Sequence, residues 1–182
     1  MWLLILTALV VASTALEEDD ICEKNPYRLC NPGEDATKFP ESEEEFDKLC
    51  PVLLEEFRCL QEHASKCDPS TLEEHTAYIE VLQEVCRKDS SLHDTIAKNL
   101  ECIKESVTKE CSEKVRRVPD AYMDFLNVTG EVDFIKLMCM GNGYALTCAT
   151  DAVSGPCGSA VKAAILEMAR RVDFIGNEEQ CP

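Results

Sequence analysis

The chain has few basic residues and, beyond its first 15 residues, no long apolar run. Of its 182 residues, 18 are basic and 35 are acidic, so the formal net charge is -17. A field of this sign repels a phosphate backbone and an anionic membrane surface. No later apolar run approaches the about 20 residues that a membrane span needs. We therefore expect no nucleic-acid partner and no stable membrane insertion.

Residues 1–15 have the pattern of a secretory signal peptide. Met1 to Val11 is an almost unbroken apolar run, and Ser13 and Ala15 place small side chains before the expected cleavage site. The basic residues that usually precede such a run are missing. Four acidic residues follow directly at positions 17–20, which argues against a membrane anchor. The pattern predicts a secreted, extracellular protein that begins at Leu16 after cleavage.

The sequence has 12 cysteines but no C-x-x-C pair. A structural zinc site normally takes two ligands from one short loop, so the spacing argues against zinc. An even number of cysteines in an exported chain favours disulfides, whose pairing the sequence leaves open. We expect disulfides at Cys22, Cys30, Cys50, Cys59, Cys67, Cys86, Cys102, Cys111, Cys139, Cys148, Cys157 and Cys181.

Residues 16–41 are acidic and rich in turn residues. Asn25-Pro26 and Asn31-Pro32-Gly33 interrupt any periodic pattern, which predicts an irregular arm. Cys22 and Cys30 would fix this arm to the rest of the chain. Its charge favours a solvated tether, and a docking segment for a basic partner is the alternative. Residues 42–182 form the predicted disulfide-rich helical domain.

From Ser42 onward the apolar residues recur every three to four positions, which predicts helices. Ser42 with Glu45 and Ser70 with Glu73 form capping boxes, and Ser91 with Asp94 opens a third helix that ends near Cys111. No segment alternates with a period of two. We therefore predict an all-α, disulfide-stapled multi-helix bundle, in which disulfides join neighbouring helices.

Three further helices are predicted in the second half of the chain. Pro119 opens a short one that contains Tyr122, Phe125 and Leu126. The next covers 131–153, where Gly141-Asn142-Gly143 is a candidate kink or break. The last begins with Ser159 as its cap and ends at Gly176.

Pairs of cysteines nine residues apart are separated by 2.5 helical turns and so point to opposite sides of a helix. This applies to Cys50 with Cys59, Cys102 with Cys111, and Cys139 with Cys148. Each helix could therefore be linked to two different neighbours.

The cysteine pattern resembles a secreted, helical, cysteine-rich family of nematodes and arthropods, domain of unknown function 19. The resemblance rests on Leu-Cys-x8-Cys-Leu-x6-Cys from Leu49 to Cys67 and on Tyr144-x3-Cys148-x8-Cys157-Gly158-x-Ala160. It implies an extracellular location and disulfides, and it implies no activity.

His93-Asp94 is the most enzyme-like pair in the sequence. A secreted, disulfide-rich helical protein with His-Asp on a helix is similar to a phospholipase A2, in which the imidazole activates water and the carboxylate helps to hold calcium. The cysteines that flank that motif and the Tyr-Gly-Cys-x-Gly calcium loop are absent here. We therefore expect no enzyme activity and no catalytic or cofactor-binding residues, with His93 on the surface near the start of a helix.

Other polar clusters suggest no firm site. His63 and Cys67 are four residues apart and Glu73, Glu74 and His75 follow, but Cys67 is expected in a disulfide, so we predict no metal site. Lys114-Val115-Arg116-Arg117 is the only dense basic cluster, and we interpret it as a solvated helix end. A processing or polyanion site is the alternative. Asn127-Val128-Thr129 is an N-glycosylation sequon, so its loop is expected to face solvent.

Two functions are compatible with these features. The first is a non-enzymatic protein that binds an extracellular protein partner in a secretion such as venom, saliva or silk, or in body fluid. The second is a carrier of a small apolar ligand, with Met138, Met140 and Met168 as adaptable lining of a helical cavity. The sequence does not identify the partner or the ligand.

Overall fold

The computed structural model describes residues 21–31, 33, 38–117 and 134–175. Within these residues the chain forms α-helices and no β-strand, so the predicted all-α, disulfide-stapled fold is confirmed. The helices are α1 (Pro26–Leu29), α2 (Glu43–Cys67), α3 (Leu72–Val85), α4 (Ser91–Ala97), α5 (Leu100–Arg116), α6 (Phe134–Ser154) and α7 (Ser159–Arg171). The predicted signal peptide, the helix predicted at Pro119, Asn127, Gly176 and Cys181 lie outside the described residues.

The helices α2 and α3 form an antiparallel hairpin through a 3-10 turn at Pro69–Thr71. The Gln61 amide donates to the Thr76 hydroxyl at 2.8 Å near the turn, and a disulfide joins Cys50 to Cys86 at the far end. Between them the Phe57 and Tyr78 rings stack with centroids 4.9 Å apart. These links fix the register of the two helices along most of α3.

Two disulfides hold the N-terminal arm along the second half of α2. They join Cys22 to Cys67 and Cys30 to Cys59, so the arm runs antiparallel to the helix. The arm is not wholly irregular, because Asn25-Pro26 opens the one-turn helix α1. The Asn25 side chain accepts from the Arg28 amide at 3.3 Å, and Pro26 suits the first helical position because it needs no N–H donor there.

The helices α5 and α6 also run antiparallel and make the most extensive helix contact among the described residues. Disulfides join Cys102 to Cys157 and Cys111 to Cys148. Cys111 lies nine residues after Cys102, and its partner Cys148 lies nine residues before Cys157, as expected for two antiparallel segments. For Cys50 and Cys59 the prediction of two different neighbours is confirmed, since their partners lie at the end of α3 and in the arm. For Cys102 and Cys111 it is wrong, because both disulfides reach α6 or the turn that follows it.

The hydrophobic core lies where the first turns of α2 and α5 meet the last turns of α3 and α6. The helices α4 and α7 cover this junction. Each large aliphatic side chain that is fully buried contributes roughly 1.5–3 kcal/mol. The core residues are Phe46, Cys50, Val81, Val85, Leu92, Ile96, Ala97, Leu100, Ile103, Val153, Val161, Ala164 and Val172.

Of the predicted helix starts, the one at Ser42 is confirmed. The Ser42 hydroxyl accepts from the Glu45 amide at 3.2 Å, and the Glu45 carboxylate accepts from the Glu41 amide. The cap predicted at Ser70 is wrong, because its hydroxyl donates to Asp68 and α3 begins two residues later at Leu72. Because Pro69 starts a 3-10 turn, the α-helix is delayed.

The other two starts are displaced by one residue. The cap of α4 is Ser90, whose hydroxyl accepts from the His93 amide at 2.9 Å, so Ser91 is already the first helical residue. The cap of α7 is Gly158 in place of Ser159. Gly158 has a φ of +88°, a conformation that other residues rarely adopt, so the helix begins directly after it.

The helix predicted from Ser91 to Cys111 is divided into α4 and α5. Asn99 lies at the break, where its side-chain amide donates to the Thr95 carbonyl at 2.8 Å and its own carbonyl accepts from the Ile103 amide. A side chain that competes for backbone hydrogen bonds favours such an interruption. The two helices can then pack against different neighbours.

In contrast, α6 continues without interruption through Gly141-Asn142-Gly143. The Asn142 amide donates to the Phe174 carbonyl at 2.9 Å and ties the helix to the segment after α7. The helix α7 ends at Arg171, five residues before the predicted Gly176. Asp173 supplies the left-handed residue at φ +49°, and the Phe174 amide bonds back to the Ala169 carbonyl at 2.9 Å. This Schellman arrangement terminates the helix without glycine.

Candidate functional site

An open groove of about 670 Å³ runs between α5 and α6. Residues spaced three or four apart on each helix share one face, which explains why these positions meet. The groove is lined by Glu105, Ser106, Lys109, Glu110 and Lys114 of α5, by Tyr144, Thr147, Cys148, Asp151 and Ala152 of α6, and by Pro156. We call it the α5–α6 groove.

Two disulfides support this groove. The Cys111–Cys148 bond lies in its wall, with Cys111 only 3% exposed. The Ser106 hydroxyl lies 3.6 Å from the Cys157 sulfur of the other disulfide. The walls are therefore held at a fixed separation. Because the groove is already ordered, less conformational entropy is lost when a partner binds.

Charged side chains dominate the lining of the groove. Asp151 forms an ion pair with Lys162 at 3.2 Å. Lys109 and Lys114 make no ion pair with any residue in the described part of the chain. The ring of Tyr144 is 45% exposed beside them. The groove therefore offers both signs of charge and an accessible aromatic ring.

The methionines proposed as an apolar lining do not meet in one cavity. Met140 is 46% exposed on α6, whereas Met168 of α7 packs against the core. The side chain of Met138 lies outside the described part of the structure. In the groove, five charged side chains take the place that an apolar lining would need.

The surface position expected for His93 is wrong, because its side chain is only 1% exposed. Its Nδ1 lies 2.9 Å from the Val85 carbonyl oxygen, and its ring lies 5.7 Å from that of Phe46. The first turn of α2 and the end of α3 cover the start of α4 here. Apolar periodicity predicted a helix at His93 but did not show that this polar residue faces inward.

His93 and Asp94 do not act as a pair. Asp94 is exposed and bonds to Lys98 at 2.9 Å, and this hydrogen bond holds the pKa of Asp94 below its ordinary value. The carboxylates nearest to Nε2 of His93 come from α2, with Glu43 at 3.7 Å and Asp47 at 3.9 Å. The sequence gives no sign that either carboxylate lies near His93, because 46 to 50 residues separate them from it.

The residues considered as metal ligands are dispersed. Cys67 is bonded to Cys22, and Nε2 of His63 lies 3.3 Å from the Ile21 carbonyl oxygen. His75 is buried in α3, whereas Glu73 and Glu74 are exposed. Among the described residues, no group of three or more His, Cys, Asp or Glu is arranged to hold a metal ion.

The basic cluster is divided between different surroundings. Lys114 lines the α5–α6 groove, and Arg117 pairs with Glu113 at 3.4 Å. The side chains of Val115 and Arg116 lie outside the described part. The sequence predicts Lys114 at a helix end, but it does not reveal that Lys114 lines the same groove as Tyr144. The equal spacings of Cys102 with Cys111 and of Cys148 with Cys157 were the available signal.

All described cysteines are disulfide-bonded, Cys139 included. None of the helices in residues 21–117 and 134–175 is long and apolar enough to span a bilayer. Comparisons with protein-family models, curated proteins and solved structures find no match to this chain. The resemblance to domain of unknown function 19 stays a prediction.

Proposed function

We propose that the protein is a secreted, non-enzymatic component of an extracellular fluid that binds another protein through the α5–α6 groove. The observation that carries this proposal is the groove itself, with charged walls fixed by two disulfides. Disulfides form and persist in oxidising compartments, which supports export. The burial of the His93 ring and the ion pair of Asp94 with Lys98 support the non-enzymatic part of the proposal.

The lining defines the chemistry of the partner. Lys109 and Lys114 attract an acidic group, and Glu105 and Glu110 attract a basic one. Since α5 and α6 are antiparallel, Lys114 and Tyr144 lie towards one end of the groove, while Glu105 and Pro156 lie towards the other. A protein segment that carries both signs of charge fits this surface. A small apolar ligand would have to desolvate these charges, which is costly.

Export is tested by expressing the full chain in animal secretory cells. The proposal predicts a protein in the medium whose first residue is Leu16. Retention in the cytosol with an intact Met1 would contradict it. A panel of lipid, peptide and glycoside substrates should show no turnover by the purified protein, and robust turnover would defeat the non-enzymatic part of the proposal.

Partner binding is tested by photo-crosslinking in the fluid where the protein accumulates. A benzophenone amino acid at Tyr144 should capture one dominant partner, whereas the same probe at Tyr27 on α1, which is 63% exposed, should not. The double variant Lys109→Glu/Lys114→Glu should abolish the capture. Lys48→Glu makes the same type of charge change on α2, outside the groove, and should leave the capture intact. Equal capture in all of these proteins would exclude the groove as the contact.

Native mass spectrometry distinguishes the carrier alternative. The proposal predicts the mass of the mature chain with any glycan at Asn127 and without lipid, both after gentle purification and after addition of fatty acids. A retained or saturable lipid would favour the carrier.

A further inference from the structure

His93 is held in one tautomer by its surroundings. Its Nδ1 lies 2.9 Å from the Val85 carbonyl oxygen, and a carbonyl can only accept a hydrogen bond. Nδ1 therefore carries a proton and donates it. In the neutral imidazole, Nε2 is then a bare acceptor.

This Nε2 atom is buried and has no hydrogen-bond partner. The groups that face it are Glu43 at 3.7 Å and Asp47 at 3.9 Å, one turn apart on α2. Ionised carboxylates only accept hydrogen bonds, so they cannot satisfy a bare Nε2. Without a proton on Nε2, this nitrogen and the two carboxylates are all acceptors. With a proton there, Nε2 becomes a donor that either carboxylate can accept from.

We propose that Nε2 of His93 is a proton-binding site and that its protonation ties the first turn of α2 to the start of α4. The proton comes from solvent along the Glu43 side chain, which is 55% exposed. The imidazolium then donates from Nε2 to the Glu43 carboxylate while Nδ1 keeps its bond to Val85. A charge-assisted hydrogen bond replaces an unsatisfied buried acceptor.

Glu43 is the acceptor because Asp47 already has a partner. The Asp47 carboxylate bonds to Lys88, and this contact raises the pKa of Lys88. Glu43 makes no other ion pair within the described residues. A movement of less than about 1 Å by its side chain brings the 3.7 Å contact into hydrogen-bond range.

The remaining charges around His93 are paired with one another. Asp94 on α4 bonds to Lys98, and Glu84 at the end of α3 pairs with Arg171 of α7. The charged or titratable groups around His93 in the elements packed about it are Glu43, Asp47, Glu84, Lys88, Asp94, Lys98 and Arg171. Of these groups, Glu43 is the one free to respond when His93 changes charge.

The test follows the side-chain nitrogens of His93 by NMR in the oxidised chain as the solution is acidified from about pH 8 to about pH 5. At the upper pH the proton should reside on Nδ1 of His93, with Nε2 bare. On acidification Nε2 should gain a proton. A proton on Nε2 at the upper pH, or a bare Nε2 throughout, would overturn the proposal.

Amide hydrogen exchange measures the mechanical consequence. Protection factors, taken relative to an unstructured peptide at each pH, should rise about tenfold for Phe46 and Asp47 on acidification, as expected for one added charge-assisted bond. Glu43→Gln should abolish this rise. Glu44→Gln is the matched control, because Glu44 is exposed and pairs with Lys48, and it should keep the rise. Equal behaviour of the two variants, or unchanged protection when Nε2 gains its proton, would also overturn the proposal.

Discussion

The disulfide between Cys111 and Cys148 joins the second half of α5 to the second half of α6, with Cα atoms 5.8 Å apart. The Cys102–Cys157 bond repeats the same link about 13.5 Å away along the axis of α5. Two disulfides, one to α6 and one to the turn that follows it, fix the separation and the register of α5 and α6. The α5–α6 groove is therefore part of the covalent framework of the protein.

Removal of this link should be costly. We expect Cys111→Ser/Cys148→Ser to lower the free energy of unfolding by about 4 kcal/mol, since the bond closes a loop of 37 residues. Chemical denaturation of the oxidised protein measures the loss. The Cys22–Cys67 bond closes a similar loop of 45 residues, but Cys22 is exposed whereas Cys111 is buried. The double serine variant of Cys22 and Cys67 should therefore lose less stability, and a larger loss there would contradict the account.

Ser90 should be important for the start of α4. Its hydroxyl accepts from the His93 amide and donates to the Glu84 carbonyl at 2.6 Å, and the residue is 4% exposed. We expect Ser90→Ala to lower the free energy of unfolding by about 1–2 kcal/mol. Ser91→Ala changes the adjacent exposed serine and should remain within about 0.5 kcal/mol of the parent protein. The reverse order in thermal denaturation would support Ser91 as the cap.

Replacement of Asp173, the left-handed residue that follows α7, by glycine should stabilise the protein. It has a φ of +49°, which glycine adopts more readily than any other residue. Asp173→Gly is therefore expected to raise the free energy of unfolding by about 0.5–1 kcal/mol, and Asp173→Ala to lower it. Urea denaturation of the three proteins gives the order. A glycine variant less stable than the parent would show that the Asp173 side chain outweighs the backbone strain.

Pro51 lies inside α2 and cannot donate the helical hydrogen bond to the Asp47 carbonyl. We expect Pro51→Ala to raise the midpoint of thermal denaturation, with a gain of about 1–2 kcal/mol after the greater entropy of the unfolded chain is deducted. The exposed Pro51 side chain makes no contribution to the core that would offset this gain. A lower midpoint would indicate that Pro51 is needed to place Phe46 and Asp47.

The sequence predicted the positions of the helices better than it predicted the contacts between them. The Ser42 cap and the apolar stripe that follows it identified α2, because both depend on neighbouring residues. Ser70 satisfied the same pattern, but Asp68 competes for its hydroxyl and Pro69 favours a 3-10 turn. The break at Asn99 depends on one side-chain hydrogen bond, which periodicity does not reveal.

The sequence did not predict the contacts between residues that are far apart in the chain. The spacing of Cys102 and Cys111 indicates directions from one helix, but the partner depends on how α6 packs against it. The surface position predicted for His93 is wrong for the same reason, since α2, which begins 50 residues earlier, helps to bury it. The α5–α6 groove arises from two helices whose register only the folded chain defines.

Peptide mapping of the purified protein under non-reducing conditions, with an alkylating reagent present throughout, tests the central claim most directly. The account predicts no alkylated cysteine and linked peptides for Cys22–Cys67, Cys30–Cys59, Cys50–Cys86, Cys102–Cys157 and Cys111–Cys148. Recovery of most cysteines as free thiols, or as zinc ligands, would contradict the disulfide-linked architecture on which the groove depends.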